Sequence, residues 1–368
     1  MAAQEASHPS DKNFHFQFSF VLVVEGMQLR YKAFGNTGLM VSEVGIGSMN
    51  LFDEKGPGGA SDDASRAILD EYVSQGGNLI DTADVYGRGH VEGMLGKHLH
   101  SKRDTILLST KVGLSRSPSD VNAGGLSRKS IHNALAESLK RLSTDYIDIL
   151  WAHTLDTLTP REQVISALED EQRAGNILHF GVSNWPAWQT AAAHMLSVSS
   201  RGHGISGIQV KYNLLDRDVE TELLPMAHDL GLAVTTWAPL AGGVLSGKYS
   251  DESSGGPSRF NDLQRLPDAL RRTAAMRVRS LAAEAQLTPA QLALNWLVSK
   301  TSPIVFPILG ARTHDQLTNN LLQLDAEVPN HVSAAIEQIA APEPRYPYTF
   351  LDAQRASGSV RGRLTAIN

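Results

Sequence analysis

Tyr146-Ile147-Asp148-Ile149-Leu150-Trp151-Ala152-His153 is the stretch whose reading decides how this chain folds. It is almost unbrokenly apolar, lacks the alternation of a strand with one wet face, and is short for a helix. Such a run fits a strand buried on both sides. Outward from it, similar runs recur at 44–49, 78–83, 105–112, 177–184, 207–214, 233–240 and 303–310, making eight in all. Helical periodicity fills the spaces between them, at 61–75, 90–100, 128–143, 160–174, 187–198, 219–230, 267–285, 288–300 and 314–324. Strand–helix alternation predicts parallel βαβ units in an α/β protein, and the count favours closure into a (β/α)8 TIM barrel. An open doubly wound sheet is the alternative. Two helices, 267–285 and 288–300, precede the last strand, so one is supernumerary. Runs at 29–34 and 40–44 flank Gly35-Asn36-Thr37-Gly38 and predict an N-terminal hairpin. Thr159-Pro160-Arg161-Glu162 and Thr288-Pro289-Ala290-Gln291 each read as a capping box, with Thr at N-cap and Pro at N1.

Composition narrows the function. The 368 residues carry 33 Lys+Arg against 39 Asp+Glu, a net charge of −6, and 42% are hydrophobic. That is ample for a large core, and it gives no general attraction to nucleic acid or an anionic membrane. With no cysteine, disulfides, thiolate metal sites and cysteine nucleophiles are excluded. The apolar run at 14–24 is far below the ~18–20 residues that span a bilayer, and no small-residue cleavage site follows it, so a cytoplasmic location is expected. Met27 opens a stretch that reads as the start of a fold. Residues 1–26 are thus expected to be a disordered extension, 27–342 the barrel domain, and 343–368 a Pro- and Arg-rich tail that flaps over the barrel mouth. The loops at 50–60, 113–127 and 248–266 all follow strand C-termini, the face on which barrels build active sites.

Two glycine motifs mislead. Gly202-His203-Gly204-Ile205-Ser206-Gly207 matches G-x-G-x-x-G but follows a helix and opens a strand, the reverse of a dinucleotide fingerprint. Gly242 to Lys248 resembles a P-loop, yet Tyr249 stands where a Mg²⁺-binding Ser or Thr is needed. His98 and His100 are two apart on a helix and face different sides, and H-E-x-x-H is absent, so no metal site is expected.

Four polar residues fall at or just beyond predicted strand ends: Asp81, Tyr86, Lys111 and His153. Each alone has an ordinary explanation in capping, packing or a solvated surface. In a barrel, however, the ends of strands two, three and four are neighbours, and the four groups converge. A tyrosine, with a reference pKa of ~10, is a poor acid near neutrality, and an adjacent ammonium favours its phenolate. An Asp beside the Lys keeps that ammonium charged and placed, and a His can orient a carbonyl oxygen or share the proton.

The chain resembles the aldo-keto reductase superfamily. The resemblance rests on Asn78 to Gly87 (NLIDTADVYG), Tyr146 to His153, Gly181-Val182-Ser183-Asn184-Trp185, Val210 to Arg217 (VKYNLLDR) and Gly310-Ala311-Arg312-Thr313, in the family's order over roughly 27–342. It implies a barrel that binds a nicotinamide cofactor without a Rossmann domain, with Tyr86 as proton donor, Lys111 and Asp81 tuning it and His153 orienting the carbonyl. By the same resemblance Ser183, Asn184 and Gln209 hold the carboxamide, with Ser48, Met49 and Asp81 beside the cofactor. Trp237 stacks on the nicotinamide. The turn Ala238, Pro239, Leu240, Ala241, Gly242 with Lys248 approaches the pyrophosphate beneath a mobile loop drawn from 249–266. Gly310, Arg312, Gln316, Asn319 and Asn320 match the adenosine-phosphate site, though many members carry Glu at the position of Asn319. The Arg312 guanidinium fork favours NADPH/NADP+ over NAD.

The activity this implies is reduction of a small-molecule aldehyde or ketone to an alcohol. Oxidation of a sugar or alcohol with NADP, or a cofactor-binding regulatory subunit similar to potassium-channel β subunits, are the alternatives. Substrate contacts are expected from Met49, Phe52, Tyr86, Trp151, His153 and Trp185, an aromatic wall that suits a sugar, a steroid-like or an aryl carbonyl equally.

Overall fold

The computed structural model describes residues 21–54, 56, 58–200, 202–247 and 269–357. Each long apolar run becomes a parallel strand: β4 (Gly45–Gly47), β5 (Leu79–Asp81), β6 (Leu107–Val112), β7 (Ile147–Ala152), β8 (Ile177–Ser183), β9 (Gly207–Lys211), β10 (Ala233–Trp237) and β11 (Val305–Leu309). They close into one barrel in which β11 returns to pair with β4, which excludes the open sheet. Helices α1 (Asp62–Ser74), α2 (His90–Leu99), α3 (Arg128–Leu142), α4 (Arg161–Arg173), α5 (Ala187–Ser199), α6 (Leu223–Asp229), α7 (Ala269–Glu284) and α8 (Pro289–Val298) connect the strands. The supernumerary helix before the last strand is therefore present. After β11 come α9 (His314–Leu321), α10 (Asn330–Glu337) and α11 (Tyr348–Ser357).

Period-two alternation sorts the strand side chains. Leu79 and Asp81, Ser109 and Lys111, and Ile149 and Trp151 share register-paired, inward faces. The lower interior is apolar, with Leu79, Ile149, Trp151, Ala233, Phe306 and Ile308 packing with Phe34 and Val41. Phe34 arrives from the hairpin of β2 (Tyr31–Ala33) and β3 (Met40–Ser42), closed by the Phe34 N–H donating to the Leu39 carbonyl at 2.9 Å. Its ring lies 6.5 Å from that of Trp151 and 5.5 Å from that of Phe306, so the hairpin plugs the floor of the barrel. A larger apolar shell fills the space between strands and helices.

Three expectations need correction or narrowing. A short strand β1 (Val21–Leu22) pairs with β2, so part of the stretch read as an extension is attached to the hairpin, while residues 1–20 lie outside the described residues. The box at Thr288 forms, with Gln291 N–H donating to its hydroxyl and the Gln291 carboxamide reaching back to the Thr288 N–H. The one at Thr159 does not: α4 begins after Pro160 without a side-chain cap, because the Thr159 hydroxyl donates to the Asp156 carboxylate at 2.7 Å. The described part of the tail forms α11 instead of a flap, touches the β9–α6 connection through Tyr348 and Glu222, and lends no residue to the cavity at the barrel mouth. Among the described residues, no helix is long and apolar enough to cross a membrane.

The plug carries a measurable load. Phe34 is fully buried, and deleting its ring leaves a cavity between two aromatic neighbours. Phe34→Ala is expected to lower the unfolding free energy by about 3–5 kcal/mol in a urea titration; a loss below about 1 kcal/mol would mean the hairpin does not seal the floor.

Candidate active site

Asp81 ends β5, Lys111 is the penultimate residue of β6, and His153 follows β7, so all three stand at the same end of adjacent strands. Tyr86 joins them from the turn after β5. There Gly87, Arg88 and Gly89 all take left-handed backbone conformations, a sequence of turns that two glycines make accessible. The Lys111 ammonium donates to Asp81 Oδ2 at 2.5 Å, to the Thr82 carbonyl at 2.7 Å and to the Tyr86 hydroxyl at 3.3 Å. Asp81 Oδ1 accepts from Ser109 Oγ at 2.6 Å and from Gln209 Nε2 at 3.0 Å. The Tyr86 and His153 rings meet edge to face with centroids 6.3 Å apart.

Burial sets the charges. Lys111 is 2% exposed, and burial works against its charge, but the neighbouring Asp81 and Tyr86 oxygens outweigh that and hold its pKa above the ordinary lysine value. His153 goes the other way: burial first, then the Lys111 ammonium, push it down to about 4 although Asp81 pulls upward. Its Nδ1 is buried without a hydrogen-bond partner among the described residues. At neutral pH the imidazole is therefore uncharged, which fits orienting an oxygen and not sharing a proton.

A cavity of about 540 Å³ opens above these groups. Of the residues the sequence singled out, Met49, Asp81, Tyr86, Lys111, His153, Ser183, Asn184, Gln209, Trp237, Ala238, Pro239, Leu240, Gly242, Gly310, Arg312, Gln316 and Asn320 all line it. Trp237, 37% exposed, is held at its edge: its indole N–H donates to Asn184 Oδ1 at 3.0 Å, and the Lys211 ammonium lies 5.9 Å from the ring centroid. Asn184 in turn donates to Ser183 Oγ and to the His153 carbonyl. At the far end the Gln316 carboxamide oxygen accepts from the Arg312 N–H, and a Cβ on Gly58 would collide with the Arg312 guanidinium.

Other residues fall elsewhere. Ser48 and Ala241 are buried beside the cavity without lining it, Asn319 is exposed, and Lys248 and the loop 249–266 lie outside the described residues. The aromatic wall also needs correction. Trp151 packs down on Phe34 inside the barrel, Trp185 sits in the shell, and Phe52 turns inward from a left-handed backbone whose N–H donates to Ser65 Oγ. In their place Asn50, Val85 and Leu114 line the cavity with Met49, and Gly243 and Ser246 extend the turn after β10. The signal for Leu114 was its place two residues beyond β6, in a loop already marked by its length.

The pattern of the family model settles the lineage: the aldo/keto reductase family matches residues 43–341. The chain belongs to the aldo/keto reductase family. It is 34% identical over 319 residues to an uncharacterized oxidoreductase of Bacillus subtilis (strain 168), covering 82% of this chain and 94% of the relative. To a probable voltage-gated potassium channel subunit beta of Oryza sativa subsp. japonica it is 33% identical, covering 85% and 96%. To norsolorinic acid reductase B of Dothistroma septosporum it is 31% identical, covering 90% and 87%. The family is one of oxidoreductases that use nicotinamide cofactors.

The cavity of this aldo/keto reductase fits such a group. Its volume lies in the ~300–1,000 Å³ range of ligand sites. It also runs from amide and hydroxyl side chains, past an exposed indole face and two glycines without a Cβ, to a guanidinium.

The His153 environment is directly measurable. Its imidazole resonances are expected to titrate near pH 4; a midpoint near 6.5 would mean the ring is solvated. The unfolded chain protonates this group near 6.5 and the folded chain only near 4, so its contribution to stability is complete above pH 6.5 and declines as pH falls through that window.

Proposed function

We propose that this aldo/keto reductase reduces an aldehyde or ketone to an alcohol with NADPH, Tyr86 acting as general acid. The observation that carries the reading is the hydrogen-bonded chain Asp81–Lys111–Tyr86 opening into the same cavity as His153. Tyr86 gives its phenolic proton to the substrate oxygen, and the Lys111 ammonium stabilises the phenolate that remains. Asp81 keeps Lys111 charged and fixed, while neutral His153 donates a hydrogen bond that aims the carbonyl. Bound NADPH supplies the hydride to the carbonyl carbon.

Ser183, Asn184 and Gln209 would hold its carboxamide, with Trp237 beneath the ring. Ala238 to Gly243 would flank the pyrophosphate, and Gly310, Arg312, Gln316 and Asn320 the adenosine end. The fork of Arg312 favours the 2′-phosphate, hence NADPH. The reaction belongs in the cytoplasm, where reduced cofactor is maintained. Met49, Val85 and Leu114 would face the substrate.

The rice relative's name favours a second reading, a cofactor-binding regulatory subunit. Tight NADPH binding with no turnover on any carbonyl or alcohol panel would favour it, and turnover on the alcohol panel alone would reverse the direction proposed here.

Tyr86→Phe is expected to lower kcat for carbonyl reduction by about 10²–10⁴-fold while NADPH still quenches tryptophan fluorescence with unchanged Kd. Retained turnover would remove Tyr86 from its role. Arg312→Ala is expected to weaken NADPH binding at least about tenfold more than NADH binding, as loss of a charge-assisted phosphate contact requires; equal losses would place the 2′-phosphate elsewhere.

A further inference from the structure

Behind the Tyr86 turn lies a buried charge cluster that the proposed chemistry leaves unused. Asp84, two residues before Tyr86, is 2% exposed, and among the described residues neither of its carboxylate oxygens finds a partner for a well-formed hydrogen bond. A buried carboxylate left this way is costly, and a neutral side chain of the same shape would avoid the cost. What faces it is charged. Arg116, on the loop after β6, places its Nε 3.6 Å from Asp84 Oδ2. Glu92 on α2 repels it, and Arg141 on α3 attracts it. Glu92 is itself fully buried and held by Arg141 Nε at 2.8 Å, Ser138 Oγ at 3.2 Å and Thr110 Oγ1 at 2.6 Å, Thr110 being the residue before Lys111. Arg141 also lies against Gly89, where a Cβ would come within 2.9 Å of its side chain. Two carboxylates and two guanidiniums thus surround the left-handed turn that presents Tyr86.

We propose that Asp84 is a positioning residue for Tyr86: its carboxylate, drawn to Arg116, ties the Tyr86 turn to the loop that carries Leu114 into the cavity. The inference rests on the reading of Tyr86 as proton donor, but its test does not depend on turnover alone. Arg116 has a second partner, Glu137 at 2.6 Å, so when Asp84 is neutral the guanidinium keeps only that outer ion pair and the tie to the turn is lost. Burial, then Glu92, push the Asp84 carboxyl up to about 7 against the pull of Arg116 and Arg141. The tie is therefore present above about pH 7 and is lost as pH falls through it.

The experiment follows the backbone amide resonances of Gly87 and Gly89 from pH 5 to 9 in the full chain without cofactor, alongside kcat with NADPH and 4-nitrobenzaldehyde. In the wild type both amides and kcat are expected to titrate with a midpoint near 7. Asp84→Asn is expected to abolish that midpoint and lower kcat at pH 8 by about tenfold, with NADPH Kd within about twofold. Arg116→Gln is expected to move the amide midpoint to higher pH, because removing a cation makes the carboxyl harder to ionise, and to lower kcat at pH 8 as Asp84→Asn does, because the tie has lost its cation. A packing role for Asp84 would not shift a midpoint in this way. A midpoint that survives in Asp84→Asn belongs to another group and overturns the proposal, as does wild-type kcat at pH 8 in that variant. If the amides titrate as stated but no carbonyl is reduced, the positioning role stands and the proposed activity falls.

Discussion

The buried ion pair between Asp81 and Lys111 is the constraint around which this molecule is arranged. Two opposite charges 2.5 Å apart and nearly sealed from water attract strongly, but removing them from water costs about as much as the attraction returns. Such a pair is poor evidence for stability, and apolar residues of the same volume would serve the fold as well. The lower half of this barrel does use apolar residues, in Leu79, Ile149, Trp151 and Phe306. That the next layer up turns to Asp81, with Ser109, Lys111 and Gln209 each donating to its carboxylate, therefore calls for a reason beyond folding. The reason is the third donation from Lys111, to the Tyr86 hydroxyl.

The same pair separates the behaviour of two nearby basic groups. Lys111 touches Asp81 directly and keeps its charge in a dry site. His153 is driven neutral first by burial and then by the field of that ammonium, against the weaker upward pull of Asp81. One charged rod and one neutral imidazole at adjacent strand ends make an asymmetric pocket, with the phenol between them.

Most of this was legible in the sequence, because strands buried on both faces leave long apolar runs and a barrel puts their ends together. What was not legible depended on competition between neighbours. The two Thr-Pro starts look alike, yet Thr159 has a carboxylate three residues back that takes its hydroxyl, and Thr288 does not. Trp151 has the same inward phase as Lys111, yet its indole packs on Phe34 from the hairpin and lies outside the cavity lining. Phe52 is turned away by a single left-handed residue, its own. Helices α10 and α11 are short; α10 starts after a proline with no side-chain cap, and α11 buries nothing, so neither leaves a strong periodic trace.

The meeting of Gly58 with Arg312 has a consequence for how the cylinder holds its shape. These residues follow the first and the last staves, β4 and β11, which join through only two registered pairs, Ile308 with Gly45 and Leu309 with Ile46. The guanidinium therefore sits across the seam where the early and late parts of the polypeptide are laid side by side. An anion gripped there would act as a clasp on the join, so occupancy of that end of the groove and integrity of the closed wall become one equilibrium, each strengthening the other.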